Sequence, residues 1–285
     1  MRYGFALAFV LLWASSGVAA SPSKPALQII DVHTHLEFED TPDRSRADFL
    51  KQMKEAGVTQ AVNILHTDDG RIPDHPPAGI IHCAGVGETP NLHGLQEGLA
   101  GGRYRCVKIY LGYVHRYASD PVYEPVYRLA EQFDVPVIFH TGDTSSSKAK
   151  LKYADPLTID EVAVDHPNVR FVIAHCGNPW IESAAEVAYK NPNVYLDGSA
   201  FFVGDVGKLP REKVDEYMVK PLAWIFGYLE NPSKLMFGSD WPLVDIPPYV
   251  EAFKRAIPRQ HWSAVFHDNA VRVFKLNEAS PPGEK

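Results

Sequence analysis

His33 and His35 stand two apart at the end of a short apolar run, in Asp31-Val32-His33-Thr34-His35. Side chains of extended backbone alternate with period two, so both imidazoles face one side. Three more runs end in a group with a lone pair or a charge: Val137-Ile138-Phe139-His140, Ile173-Ala174-His175 and Phe237-Gly238-Ser239-Asp240. Another carries Lys108, in Arg105-Cys106-Val107-Lys108-Ile109-Tyr110. His33, His35, His140 and Asp240 make a mixed nitrogen and oxygen donor set. Such a set suits one divalent transition metal better than calcium or magnesium. Zinc is the first expectation, with iron, manganese or nickel as alternatives. The set leaves a position open for water, as a catalytic site requires. A lone His-X-His carries little, because a turn or a surface pair reads the same way. Four strand ends in order carry much more.

Groups so far apart in the chain need a scaffold that gathers the ends of separate runs. Strand-like runs lie at 28–32, 58–65, 79–86, 104–111, 135–139, 169–174, 193–196 and 234–238. Helical patterns lie between and after them, at 46–56 (closed by Gly57), 92–99, 121–133, 156–164, 180–189, 211–229, 248–256 and 264–274. Pro221 is expected to interrupt the region 211–229. Alternation of this kind means a parallel sheet with crossover helices. An open, doubly wound sheet usually carries a glycine-rich loop after its first strand. Here that strand runs into His33-Thr34-His35 instead. The expectation is therefore an α/β fold, a (β/α)₈ TIM barrel in a single domain over 28–277. Its chemistry would sit at the C-terminal ends of the strands. Lys108 shares a face with Cys106 and Tyr110. Pointing outward, it would bury an unpaired charge under helices, so it is expected to point into the barrel near the metal.

The ends of the chain read differently. Met1-Arg2 is a positive start, 5–13 is apolar, and Val18-Ala19-Ala20 offers small residues, the three parts of an export signal. The apolar run is shorter than the roughly 20 residues that span a bilayer. Cleavage after Ala20 is expected, with the mature protein secreted or periplasmic and not inserted in the membrane. Residues 21–27 and 278–285 are expected to be disordered. About 265 residues then remain, close to the roughly 250 of a typical barrel. The formal charge is −7 and no basic run occurs, which argues against nucleic acid and anionic membranes as partners. A small-molecule substrate is expected, and a homo-oligomer is possible. Cys83, Cys106 and Cys176 read as small buried thiols, although spacing does not rule out one disulfide.

The four strand-end segments, together with Thr141-Gly142, Cys176-Gly177, Trp241-Pro242 and the late His267-Asp268-Asn269-Ala270, resemble the amidohydrolase superfamily. The branch resembled includes aminocarboxymuconate-semialdehyde decarboxylase and many metal-dependent hydrolases, and the likeness runs from about Ile29 to about Leu276. It implies that His33, His35, His140 and Asp240 bind the metal. It implies that His175 is an acid/base or orienting group beside the bound water, and that Asp240 also accepts a proton. A divalent metal lowers the pKa of bound water toward about 7, which makes a nucleophile at neutral pH. In some branches the strand-four lysine is carboxylated and bridges two metals. Here four ligands already complete a one-metal site, so an unmodified Lys108 that meets the substrate is expected. Arg116, with His115 and Tyr113, follows strand four and reads either as a carboxylate clamp or as a solvated loop. Trp241 and His66 fall where a pocket wall belongs, and 199–210 reads as a lid or a packed loop. His66, His82 and Asp197 carry less signal as strand-end groups, and His75, His93, His166 and His261 read as surface. The preferred function is hydrolysis of a lactone, ester or amide. The alternative is non-oxidative decarboxylation of a small unsaturated or aromatic acid, and a third reading is a non-catalytic binding barrel.

Overall fold

The structure is a computed structural model that describes residues 27–36, 45–66 and 78–276. The expected signal at 1–20, most of 21–27, the tail at 278–285 and His75 lie outside the described residues. Eight strands form one sheet in chain order: β1 Ile29–Thr34, β2 Val58–Ile64, β3 Ile80–Val86, β4 Cys106–Ile109, β5 Val137–Phe139, β6 Phe171–Ile173, β7 Val194–Asp197 and β8 Leu235–Met236. Every neighbouring pair is parallel, as crossover helices demand. Helices fill the crossovers: α1 Arg46–Ala56, α2 Leu92–Ala100, the short α3 Leu111–Val114, α4 Glu124–Gln132, α5 Ile159–Asp165, α6 Ile181–Lys190, α7 Arg211–Val214 and α8 Lys220–Tyr228. Two more, α9 Ile246–Ala256 and α10 Asn269–Phe274, follow β8. This is the expected TIM barrel.

Main-chain bonds from β1 to the segment after β8 draw the sheet toward closure. Val32 N–H donates to Phe237 O at 3.1 Å, Asp240 N–H to His33 O at 2.8 Å and His35 N–H to Trp241 O at 2.7 Å. Inside lies a narrow core from alternate strand positions, including Ile30, Val62, Cys83, Cys106, Ile138 and Val172. Ala270, Val273 and Phe274 of α10 belong to the same cluster. The opposite strand faces, with Val107, Phe139, Ile173 and Phe237 among them, join the larger cluster under the helices. Lys108 follows Cys106 by two and faces inward, and all three cysteines are buried and unbridged.

Pro221 does not interrupt its helix. Proline lacks an N–H and its ring crowds the carbonyl four residues back. A wider π turn at Asp215–Val219 precedes it, and the helix continues directly into α8. A local widening of this kind accommodates proline without ending the helix.

Candidate metal centre and its proton relay

The parity of β1 sets the first problem of the site. Ile30 and Val32 point into the barrel, so unbroken alternation would turn His33 and His35 outward. The register resolves it. Asp31 is opposite Ala61 and Thr34 is opposite Asn63, three residues against two. This bulge reverses the alternation, as such insertions do, and His33 arrives 3.4 Å from the inward Lys108 Nζ. Asp31 holds the bulge. Its Oδ1 accepts from the main-chain N–H of His33 at 3.2 Å and from that of Ser239 at 2.9 Å. One fully buried carboxylate thus ties the end of β1 to the segment that delivers Asp240. Burial pushes its pKa up to about 7, against the hydrogen bonds from Ser239 and His33. His175 and Asp240 are brought inward by another device, left-handed backbone at φ 59° and φ 69°. That conformation costs a non-glycine residue about 1–2 kcal/mol and clusters at functional sites.

Hydrogen bonds fix how the donors face. His35 Nδ1 lies 2.9 Å from Ile64 O, so Nδ1 carries the proton and Nε2 keeps its lone pair. His33 Nδ1 lies 3.0 Å from Asp197 Oδ2, with the same consequence for its Nε2. The two Nε2 atoms come within 3.6 Å (His33) and 3.3 Å (His35) of Asp240 Oδ1. That oxygen is buried and has no hydrogen-bond partner. Two ring nitrogens converge on this carboxylate oxygen, with the Lys108 ammonium reaching only His33 Nε2, and together they form a place for a cation. Charge states agree. Burial, then the Lys108 ammonium, lowers the pKa of His33 and keeps it neutral. Burial works to raise the Asp240 carboxyl, but positive charge on its His33, His35 and His175 side outweighs burial and holds it well below the usual range.

A second cluster adjoins this one. Asp197, at the end of β7, is buried, and its other oxygen accepts from the hydroxyl of Ser199. Burial opposes its ionisation, but His33 prevails and keeps it a carboxylate. Ser199 Oγ is also 2.9 Å from His175 Nδ1, and His175 Nε2 is 3.2 Å from His140 Nδ1. His140 Nε2 then donates to Asp143 O at 2.9 Å. Asp143 O, His140, His175, Ser199 and Asp197 are therefore joined by four contacts. Neutral histidines and one hydroxyl supply only three protons to these four contacts. The chain has room for one more proton, with partners waiting on both sides of His175. Burial lowers the pKa of His175 to about 4, so it is neutral and able to accept at pH 7. Lys108 is fully buried, and burial lowers its pKa to about 8 although Asp197 and Asp240 favour its charge.

Of the four ligands expected from the sequence, the structure gathers His33, His35 and Asp240. His140 is not among these three and meets His175 instead. Asp197 and Asp31 have larger parts in the site than their sequence surroundings announce. Asp197 closes a strand without any local motif, and Asp31 shows its role only through the bulge. Arg116 lies outside the cluster: it pairs with Asp120 at 2.9 Å and Glu88 at 3.6 Å. Trp241 is fully buried with its ring 4.9 Å from Phe49 of α1, and it offers no surface to a ligand. His66 lies beside His35, ring centroids 4.7 Å apart. Tyr113 approaches the ring of His140 at 5.0 Å, and His115 meets Lys148 O. A cleft of about 490 Å³, lined by Asn178, Phe201, Phe202, Val203, Lys213 and Tyr217, adjoins the His175 side. Asn178 N–H donates to His175 O, and Phe201 is two residues beyond Ser199.

The family model described as amidohydrolase matches residues 71–276. The chain belongs to the amidohydrolase family. The family is metal-dependent, and the His33, His35 and Asp240 cluster fits that property. A search of curated proteins finds no match to this amidohydrolase. Solved structures do match. An uncharacterised TIM-barrel protein of Bordetella bronchiseptica is 21% identical, with a TM-score of 0.68 over 87% of this chain and 99% of that one. A putative 2-pyrone-4,6-dicarboxylic acid hydrolase of Pseudomonas putida is 18% identical, with a TM-score of 0.62 over 87% and 98%. A 5-carboxyvanillate decarboxylase of Novosphingobium aromaticivorans, solved with bound manganese, is 13% identical, with a TM-score of 0.58 over 80% of each chain. At these identities the likeness is one of fold.

Proposed function

We propose that this amidohydrolase hydrolyses a lactone, ester or amide bond of a small molecule at a single divalent metal, zinc first. The observation that carries this reading is the partnerless buried Asp240 Oδ1 between two histidine lone pairs. His33, His35 and Asp240 would hold the metal, and His140 would complete the set from β5 at the expense of its bond to His175. The chemistry a divalent metal supplies there is Lewis acidity and a water that is nucleophilic at neutral pH. Asp240 and His175 take up the proton of the attacking water. His175 then passes a proton to the leaving oxygen or nitrogen, so that water is added across the broken bond. The Asp197–Ser199–His175 chain keeps His175 oriented and accommodates the extra proton. Lys108 binds the substrate carbonyl or carboxylate, and the aromatic cleft receives the rest of the molecule. The choice of hydrolysis leans on reading residues 1–20 as an export signal, because a decarboxylase of a pathway intermediate belongs where that intermediate is made.

One observation favours the second reading, decarboxylation. A buried ammonium 3.4 Å from His33 Nε2 is a ready counter-ion for a carboxylate presented to the metal ligands. A proton would then replace the carboxyl group, which leaves as carbon dioxide. The test is metal analysis of the mature protein followed by a panel of lactones, esters, amides and carboxylic acids. Acid release from an ester or lactone with no carbon dioxide supports hydrolysis. Carbon dioxide release from the acids alone would replace it with decarboxylation.

A further inference from the structure

Three cysteines allow three pairings, and spacing in the sequence does not choose among them. The register of the barrel does. Cys83 of β3 and Cys106 of β4 are direct partners across the parallel ladder. Both side chains belong to the narrow core inside the barrel, so they leave the sheet on the same side. Paired Cα atoms of neighbouring strands lie about 5 Å apart, within the roughly 4.4–6.8 Å that a disulfide spans. The two thiols already meet: burial, and then the hydrogen bond with Cys83, pushes the Cys106 thiol well above the usual thiol range. Cys176 is set apart. It packs in the outer cluster under the helices, and its Sγ donates to Asp197 O at 3.2 Å.

Chain order favours an early meeting. Only the crossover through α2 separates β3 from β4, so closing this loop needs little of the rest of the barrel. A thiol buried in apolar surroundings is a poor nucleophile, so exchange belongs to the stage before the barrel closes. We propose that Cys83 and Cys106 form a disulfide across β3 and β4 when the chain folds in the presence of a disulfide oxidant. The thiolate of one cysteine attacks a sulfur of the oxidant and expels a thiolate. The thiolate of the other attacks this mixed disulfide and expels the second. Two electrons pass to the oxidant, and the two protons lost by the cysteines end on the two thiols it becomes. Once the barrel has closed, no external thiolate reaches the bond, because both cysteines are fully buried. The bond braces β4 two residues before Lys108, one level beneath the candidate metal centre. The export signal read at residues 1–20 would lead to an oxidising compartment, but the pairing itself follows from the register.

The test is a count of thiols after folding. The full chain is unfolded in reductant, then refolded either in reductant alone or in a mixture of reduced and oxidised glutathione. Free thiols are blocked under denaturing conditions and the chain is weighed. After reductant alone, all three cysteines should be blocked. After glutathione, only Cys176 should be blocked, and digestion should yield the peptides of Cys83 and Cys106 joined to each other. Cys176→Ala should still form the bond, and Cys83→Ala should leave Cys106 and Cys176 both free to be blocked. If the chain does not refold from denaturant, synthesis directly in the same glutathione mixture gives the same count. Three blocked cysteines after folding with glutathione overturn the proposal, and so does a bond that includes Cys176.

Discussion

His175 is the residue whose removal should separate chemistry from metal binding. It sits in the middle of a hydrogen-bonded chain that is one proton short, and it is neutral at pH 7. His175→Asn should keep the metal and lose roughly 10²–10⁴ in turnover, read by metal analysis beside steady-state rates. Loss of the metal together with the rate would make His175 a ligand instead. Lys108 gives a prediction with a pH sign. Its ammonium is the form that attracts a substrate anion, and burial lowers its pKa to about 8. The attraction is present below that value and lost above it. KM for an anionic substrate should therefore rise as pH climbs through about 8, and Lys108→Met should raise KM at neutral pH and flatten the profile while about one metal stays bound. A carbamate on Lys108 with two metals per chain would contradict this. Type and spacing of residues pointed to His33, His35 and Asp240, which the structure gathers, to His140, which it sets against His175, and to an inward Lys108. They did not reveal Asp197, because a carboxylate at a strand end has no local mark until its partners from β1 and β6 arrive. They also could not show that Arg116 is engaged by Asp120 and Glu88, since those pairings depend on the path of the loop.

At the scale of elements, the decisive feature is the bulge in β1. The eight strands and their order were legible because apolar runs and helical faces alternate throughout, and α1 runs from Arg46 to Ala56 before Gly57 as expected. The bulge was not legible. Asp31-Val32-His33 contains no glycine or proline to announce it, and its cause is the distant Ser239 amide that shares Asp31 Oδ1. The failed interruption at Pro221 has the same origin: the rule for proline is local, and the π turn that answers it is not marked in sequence. Asp31→Ala should leave two buried N–H groups without an acceptor. The expected cost is about 1–3 kcal/mol for each, together with weaker metal binding, measured by denaturant titration and metal competition. Asp31→Asn keeps one oxygen and should restore most of the metal affinity. The pH sign follows from burial, which raises the folded pKa to about 7, above the ordinary carboxyl range. The folded state then holds more protons between about 4 and 7, so this residue's share of stability falls as pH rises across that window. In metal-free protein, Asp31→Asn should reduce that decline. An unchanged slope would remove Asp31 as its source.

For the molecule as a whole, the candidate metal ligands lie on both sides of the closing seam, with His33 on β1, His35 just after it and Asp240 just after β8. A bound metal would join first strand to last and stabilise the folded state by mass action. Chelation should lower the melting temperature by on the order of 10 °C, given a metal about a thousandfold above its dissociation constant and the usual scaling of large domains. A melting curve indifferent to confirmed metal loss would show that the seam holds without it. The same seam has a consequence in time. A chain is made from its N-terminus, so β1 and its histidines exist long before their partner carboxylate. No product that stops before Asp240 can assemble the candidate site, and every such length carries two histidines that face no Asp240. On the proposed metal-site reading, the segment after the last strand therefore acts as a checkpoint: a ribosome that stops before it leaves behind a barrel without the carboxylate that its two histidines await.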